Sequence, residues 1–268
     1  MPEVSRTQLT FQQDGNLYKS RSAVKAVLSF SDLQEENRLL YKQGGEDDYV
    51  VITDQTIFHP QGGGQPFDIG KMTHQSGSIF EVCSVRMDAI HDGQVLHFGR
   101  FTQAKFEAGD QVEQEVDVEK RLLYSRYHTA GHVLGAAVRH LLEKEVADFD
   151  ELKASHFPDS AACEFQGNID GKWKDSIQQK VEEYMAAKMP VEIDWWDEDD
   201  FRKHNLERLI PDRSLAPAGE KFRVVKIIGA EVYPCGGTHV NTTDQCGETL
   251  VRKIARKSGQ TRISYALK

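Results

Sequence analysis

Two short stretches constrain this chain more than any other: His128-Thr129-Ala130-Gly131-His132, and Cys235-Gly236-Gly237-Thr238-His239 about a hundred residues later. Each carries two soft-metal ligands four positions apart. If the first stretch is helical, His128 and His132 lie one above the other on the same face and can aim at a common point. Alone, such a pair is as often a pair of surface or core histidines. It lacks the glutamate of the His-Glu-x-x-His protease motif, so that motif's general base is missing. The second stretch follows Pro234 and contains Gly236-Gly237, which makes it a turn, and only a tight turn brings Cys235 and His239 to one point. Three imidazoles and one thiolate are a zinc complement, and the sulfur disfavours magnesium or calcium. The expectation is a zinc site at which the fold brings the two stretches together. Four protein ligands close a tetrahedral zinc and make it structural, whereas a catalytic zinc keeps a position open; the sequence leaves that choice open.

Composition narrows the setting. The chain has 268 residues, 39% hydrophobic and 28% charged, the profile of a globular protein with room for one large or two modest domains. No apolar run approaches a membrane span and the first residues do not resemble a signal peptide, so a cytoplasmic location without membrane attachment is expected. Cys83, Cys163 and Cys246 suggest neither a CxxC motif nor a disulfide framework, and Cys246 is expected to be a small apolar filler. A net charge of −9 argues against a protein that coats nucleic acid indiscriminately, but allows a local basic face.

The first hundred residues read as β-rich. Strands are expected at Ser22 to Phe30, Asp48 to Thr53, Ile79 to Val85, Gln94 to Phe98 and Gln111 to Val118, separated by turn signals, which suggests a barrel or curled antiparallel sheet. From Val118 the period becomes helical: Leu122, Leu123, Tyr127, Ala130, Val133, Leu134, Ala137, Val138, Leu141 and Leu142 recur at helical spacing. A second helix is expected from Lys174 to Met189, capped near Asp175 or Ser176 and stopped by Pro190. Strands are expected at Ser160 to Gln166, Val191 to Trp196, Phe222 to Ile228, Gly247 to Ala255 and Thr261 to Leu267, with a charged helical stretch from Asp197 to Leu209 and a loop from Pro211 to Gly219. The expected fold class is α+β: a β-barrel-like domain over 1–117, then helices on an antiparallel sheet over 118–268. The acidic runs Glu46-Asp47-Asp48 and Asp197 to Asp200 are expected to be solvated loops.

Between the second and third of those strands lies His59-Pro60-Gln61-Gly62-Gly63-Gly64-Gln65-Pro66. Its glycines allow positive φ and close backbone approach, and its prolines block strand pairing. It is a wide hairpin loop or a binding loop, and Gln65 directly after the glycines favours the second; without Gly-Lys-Ser/Thr it is not a P-loop.

Gly62-Gly63-Gly64-Gln65, His128-x-x-x-His132 and Cys235-Gly-Gly-Thr-His239-Val240 together resemble the editing domain of alanyl-tRNA synthetases. The resemblance spans almost the whole chain and includes the closing Arg252 to Tyr265. Because no synthetase catalytic domain precedes these motifs, the chain is similar to the free-standing AlaX-type editing proteins. The resemblance implies a threonyl/alanyl-tRNA synthetase editing fold and hydrolysis, without ATP, of the ester joining a wrong amino acid to alanine tRNA, serine chiefly and glycine as a further substrate. It implies that His128, His132, Cys235 and His239 bind zinc, and that Gln65 belongs to the editing site. Gly63 and Gly64 are expected to act with Gln65 in catalysis, Gly62 and Thr56 to contact substrate, Thr56 by reading a serine hydroxyl.

The chemistry is consistent with the residues themselves. Ester hydrolysis needs a positioned water and donors for an oxyanion, which zinc, glycine-loop N–H groups and Gln65 could supply. Telling serine from alanine is easier for a site that hydrogen-bonds the hydroxyl, although Thr56 reads equally well as a solvent-facing strand residue. For tRNA, the one partner expected, the basic face is Arg252, Lys253, Arg256, Lys257 and Arg262, or else these residues protect a strand edge. Two other functions fit the same residues: a non-catalytic tRNA-binding module with structural zinc, and a deacylase for another mischarged tRNA.

Overall fold

The computed structural model describes residues 6–213 and 219–268; part of the expected loop from Pro211 to Gly219 lies outside them. The chain forms two compact units, Met1–Gly62 with Pro66–Leu122, and Gly63–Gln65 with Leu123–Lys268. The glycine loop thus leaves the first unit after Gly62 and returns to it at Pro66.

In the first unit, short strands β1 (Gln8–Leu9) and β4 (Gln55–Thr56) pair in parallel. The others, β2 (Lys19–Ser29), β3 (Tyr49–Thr53), β5 (Gly70–His74), β6 (Ile79–Met87), β7 (Val95–Phe101) and β8 (Gln111–Val116), close an antiparallel barrel in the order β2-β3-β7-β6-β5-β8. β8 alternates strictly, with Val112, Gln114 and Val116 buried, as a half-buried strand must. β3 does not alternate: Val51 joins one cluster with Phe58, Met72 and Phe80, while Val50 and Ile52 join another with Phe30, Leu33 and Tyr41. Covered on both faces, it reads as a continuous apolar run. β2 and β6 carry register shifts after Val24 and Val82, the local bends that help a sheet curl. β5 was not expected, because Gly-Lys-Met-Thr-His has one apolar residue, Met72, and a single inward side chain sets up no alternation. The short helix α1 (Glu35–Arg38) precedes the acidic run. There the expectation of a solvated loop fails at Asp48: its carboxylate is buried, accepts from Arg100 Nε at 2.7 Å, and accepts from Gly45 N at 2.7 Å, closing the turn.

The second unit is built on α2 (Val118–Leu142), whose last twenty residues belong to it. Ala130, Val133, Leu134, Ala137, Val138 and Leu142 are fully buried against residues such as Phe165, Ile177, Val181 and Ile263. At roughly 1.5–3 kcal/mol for each large aliphatic buried, this stripe anchors the helix. Instead of one sheet there are two, both antiparallel. The strands β9 (Asp150–Ser155), β10 (Ala162–Gln166), β14 (Thr249–Lys257) and β15 (Gln260–Leu267) run in the order β14-β15-β10-β9, and β11 (Val191–Trp196), β12 (Phe222–Ile227) and β13 (Glu231–Pro234) form a separate meander. β9 was unexpected, since Asp-Glu-Leu-Lys-Ala-Ser on a sheet edge shows no apolar period. Helix α3 (Lys174–Ala186) is entered from a 3-10 turn at Gly171–Trp173, and Asp170, accepting from Lys172 N, caps that turn; Asp175 and Ser176 are not caps. Asp197 and Asp200 form a capping box for α4 (Glu198–Lys203), so this acidic run also has a structural task. Cys246 is buried in the main cluster, as a small apolar filler would be, and burial pushes its thiol up to about 12. Among the described residues no helix is long and apolar enough to cross a membrane.

Candidate metal centre

His128, His132, Cys235 and His239 each offer one ligand atom, and these atoms lie within 4.8 Å of one another. Cys235 Sγ is 3.3 Å from His128 Nε2 and 3.4 Å from His239 Nε2. Zinc–sulfur and zinc–nitrogen bonds of about 2.3 and 2.0–2.1 Å at tetrahedral angles put sulfur and nitrogen about 3.5 Å apart. The spacing and the donor set therefore fit a divalent metal of the zinc type. His132 Nδ1 is buried and finds no hydrogen bond among the described residues. Burial, with His156 and Arg223 nearby, holds the His132 imidazole well on the neutral side, the form a metal requires. Burial also pushes the Cys235 thiol up, opposed by the Arg223 guanidinium and the Gly237 N–H.

The candidate ligands are oriented by a polar shell drawn from three segments. Gln65 is fully buried, and its Oε1 accepts from His128 Nδ1 at 2.6 Å and from Thr238 N at 2.9 Å, while its Nε2 donates to Thr238 Oγ1 at 2.8 Å. With the proton on Nδ1, His128 presents the lone pair of Nε2 towards Cys235. Thr238 Oγ1 also meets Ser125 Oγ at 2.7 Å. Thr129 Oγ1 contacts His239 Nδ1 at 3.1 Å and accepts from Val240 N at 3.2 Å. Such partners fix the tautomer and direction of metal-binding imidazoles. Ser125 and Thr129 were not singled out from sequence, yet a signal existed: 125, 128, 129 and 132 form a polar i, i+3, i+4, i+7 stripe just before the apolar run Val133 to Val138.

His156 is the second omission. It follows β9, is 2% exposed, and stacks on His128 with centroids 4.2 Å apart and planes at 25°. Its backbone N–H donates to Gly64 O at 2.8 Å, which ties the glycine loop to the sheet. Gly63 and Gly64 have φ of 56° and 78°, backbone that only glycine adopts without strain. A side chain at Gly64 would also run into Ala154 O. No spacing in the sequence distinguishes His156 from a core histidine.

Thr56 and Gly62 belong to the first unit. Thr56 is fully buried there. Its hydroxyl accepts from Phe58 N at 3.0 Å and faces His97 Nε2 at 2.8 Å, and His97 donates through Nδ1 to Val51 O at 2.9 Å, so the hydroxyl is the donor to Nε2. Arg252, Lys253, Arg256 and Lys257 are exposed on the edge strand β14, and Arg262 is exposed on β15. Arg256 pairs with Asp170 at 3.3 Å and Arg262 with Glu164 at 2.9 Å.

Comparison with known proteins finds similarity over most of the chain. The family described as threonyl and alanyl tRNA synthetase second additional domain matches residues 222–264, which hold Cys235 and His239. The family of class II (A) tRNA synthetases matches residues 3–120. The alanyl-tRNA editing protein AlaX-M of Methanosarcina barkeri is 29% identical over 228 residues, 82% of this chain and 88% of that protein. The chain is a homologue of the AlaX editing proteins. AlaX-L of Pyrococcus horikoshii is 30% identical over 213 residues, 80% of this chain and 50% of that protein. The alanine–tRNA ligase of Methanosphaera stadtmanae is 30% identical over 257 residues, 91% of this chain and 27% of the ligase. The chain thus spans from about a quarter to half the length of these last two relatives.

Proposed function

We propose that this chain is a zinc-dependent trans-editing deacylase that hydrolyses mischarged tRNA(Ala), with Ser-tRNA(Ala) as the chief substrate and Gly-tRNA(Ala) as a second. The observation that carries the reading is the convergence of four soft donors within 4.8 Å, one of them oriented by the glutamine that ends the glycine loop, in a homologue of the alanyl-tRNA editing proteins. His128, His132, Cys235 and His239 would hold the zinc, which when bound supplies a fixed positive charge to its surroundings. In this reading Gly63 and Gly64 act through their backbone N–H groups as oxyanion donors. Gln65 acts on His128 and Thr238, where its amide is engaged. Arg252, Lys253 and Lys257 contact tRNA phosphates, with Arg256 and Arg262 beside them. Ester hydrolysis needs no ATP, and the reaction takes place in the cytoplasm, where charged tRNA is used.

One observation favours a second reading: four protein donors complete a tetrahedral zinc, as in structural sites, which suits a tRNA-binding module without turnover. Metal-loaded protein incubated with Ser-tRNA(Ala), Gly-tRNA(Ala) and Ala-tRNA(Ala) separates the two. Fast loss of the first two charges with Ala-tRNA(Ala) spared is expected. Binding without loss of any charge would leave the module, and turnover only of other mischarged tRNAs would reassign the substrate.

A further inference from the structure

His156 has a fixed tautomer. Tyr265 Oη donates its one proton to Tyr127 O at 2.8 Å, so at the 2.8 Å contact with His156 it can only accept, and the proton of the imidazole sits on Nδ1. Nε2 is left as an acceptor with no donor among the described residues. Its two neighbours in the ring define where it lies. A methyl carbon placed on Gly64 would come 3.2 Å from His156 Cδ2, and one placed on Gly131 would run into Cε1 and Nδ1. Nε2 therefore lies between two glycines, one on the glycine loop and one on α2, beside the ring of His128 on which His156 stacks. A glycine inside a helix costs about 1 kcal/mol relative to alanine, and at Gly131 the absent side chain makes room for this imidazole and for Tyr265 Oη, 2.6 Å from where a Cβ would stand.

We propose that His156 is a catalytic residue of the deacylation, its Nε2 accepting a hydrogen bond from the attacking water and aiming it at the ester. The assignment rests on the deacylase reading given above. The water oxygen bonds to the acyl carbon and the bond from that carbon to the ribose oxygen breaks. One water proton ends on the released ribose hydroxyl, and the other leaves with the carboxylic acid, which ionises. His156 holds one O–H of the water in place through the attack and undergoes no net change.

The tautomer can be read without turnover. Long-range proton–nitrogen NMR of histidine-labelled, zinc-loaded protein should show His156 protonated at Nδ1 and bare at Nε2; a proton on Nε2 would overturn the assignment. In steady-state deacylation, His156→Ala is expected to keep its zinc and its KM and to lose about 10²-fold in kcat. Tyr265→Phe should lose about tenfold, because the ring is then free to exchange tautomers, and should show both tautomers by NMR. An unchanged kcat, or a loss that only tracks lost zinc, would overturn the proposal. Should His156→Ala not fold, Tyr265→Phe and the NMR arm decide. If the wild type deacylates none of the charged tRNAs, the deacylase reading fails instead, while the tautomer result still tests the geometry.

Discussion

Replacing Gln65 with alanine probes the metal centre without touching a ligand. In the native arrangement one buried oxygen accepts from His128 Nδ1 at 2.6 Å and from Thr238 N at 2.9 Å. Alanine leaves both donors buried without that acceptor, at about 1–3 kcal/mol each, so a loss of about 2–6 kcal/mol in stability is expected. Thr238 Oγ1 retains Ser125 Oγ at 2.7 Å, which limits the loss on that side. His128 also loses the partner that fixes its tautomer, and partners of this kind are worth about 10–100-fold in metal affinity. Gln65→Glu separates the two effects: a carboxylate still accepts from both donors, and Thr238 Oγ1 can turn to donate. Competition against a chromophoric chelator should therefore rank zinc affinity as wild type and Gln65→Glu together, well above Gln65→Ala, with urea unfolding following the same order. Unchanged zinc affinity and stability in Gln65→Ala would refute the orienting role.

Four further outcomes follow from the geometry. Gly131→Ala, a change that favours an isolated helix by about 1 kcal/mol, should instead lower the thermal midpoint, because the new methyl group meets His156 and Tyr265 Oη; a raised midpoint would show that the imidazole can move aside. His97 is fully buried and burial lowers its pKa to about 4 from 6.5. The unfolded chain then takes up the proton first, so this contribution is complete above pH 6.5, fades as pH falls, and is gone below about 4; at ~1.4 kcal/mol per pH unit it amounts to about 3 kcal/mol. Urea unfolding from pH 7 to 4.5 should show a shallower decline in His97→Gln, and an identical slope would remove His97 from the account. Thr56→Val should cost about 1–3 kcal/mol by stranding Phe58 N and His97 Nε2; unchanged stability in urea would remove these two bonds from the account. Arg252→Ala with Lys253→Ala should weaken tRNA binding and flatten its dependence on salt by roughly one phosphate contact each, whereas an unchanged salt slope would leave them as guards of the β14 edge.

What could be read in advance was whatever chemistry or period writes directly into neighbouring residues. The helical period from Leu122 to Leu142 marked α2 because one face of it is buried throughout. The strands of the barrel were visible where one face is buried and the other wet, as in β8. β5 and β9 escaped because each places too few apolar side chains inward to set a pattern. At the metal centre, Cys and His announce themselves by type, but their supporting groups are ordinary residues whose role depends on a fold. Ser125 and Thr129 face the turn at 235–240, and His156 reaches His128 only because β9 ends beside the glycine loop. Arg121 shows the same limit in the first unit: it reads as part of the charged lead into a helix, yet it is fully buried and bound to Asp68 through two guanidinium nitrogens.

The placement of Gln65 bears on where the chemistry can come from. The sequence offered two polar groups for catalysis around a closed set of four ligands, Gln65 and the glycine backbone. In the fold, the oxygen of Gln65 is shared by His128 and Thr238 and its nitrogen is spent on Thr238 Oγ1, so moving it to serve a substrate would strand two buried donors. If the four side chains hold a metal and Gln65 is committed to them, an acceptor for water has to be found on the margin of the cluster. His156 meets that requirement by its tautomer and its position. Its backbone N–H meanwhile holds Gly64 O, so the same residue that would orient the water also anchors the loop whose N–H groups would receive the oxyanion. On the proposed reading a closed zinc site and a hydrolytic reaction are compatible: the metal would hold the helix and the 235–239 turn in register while the groups acting on substrate are kept beside it.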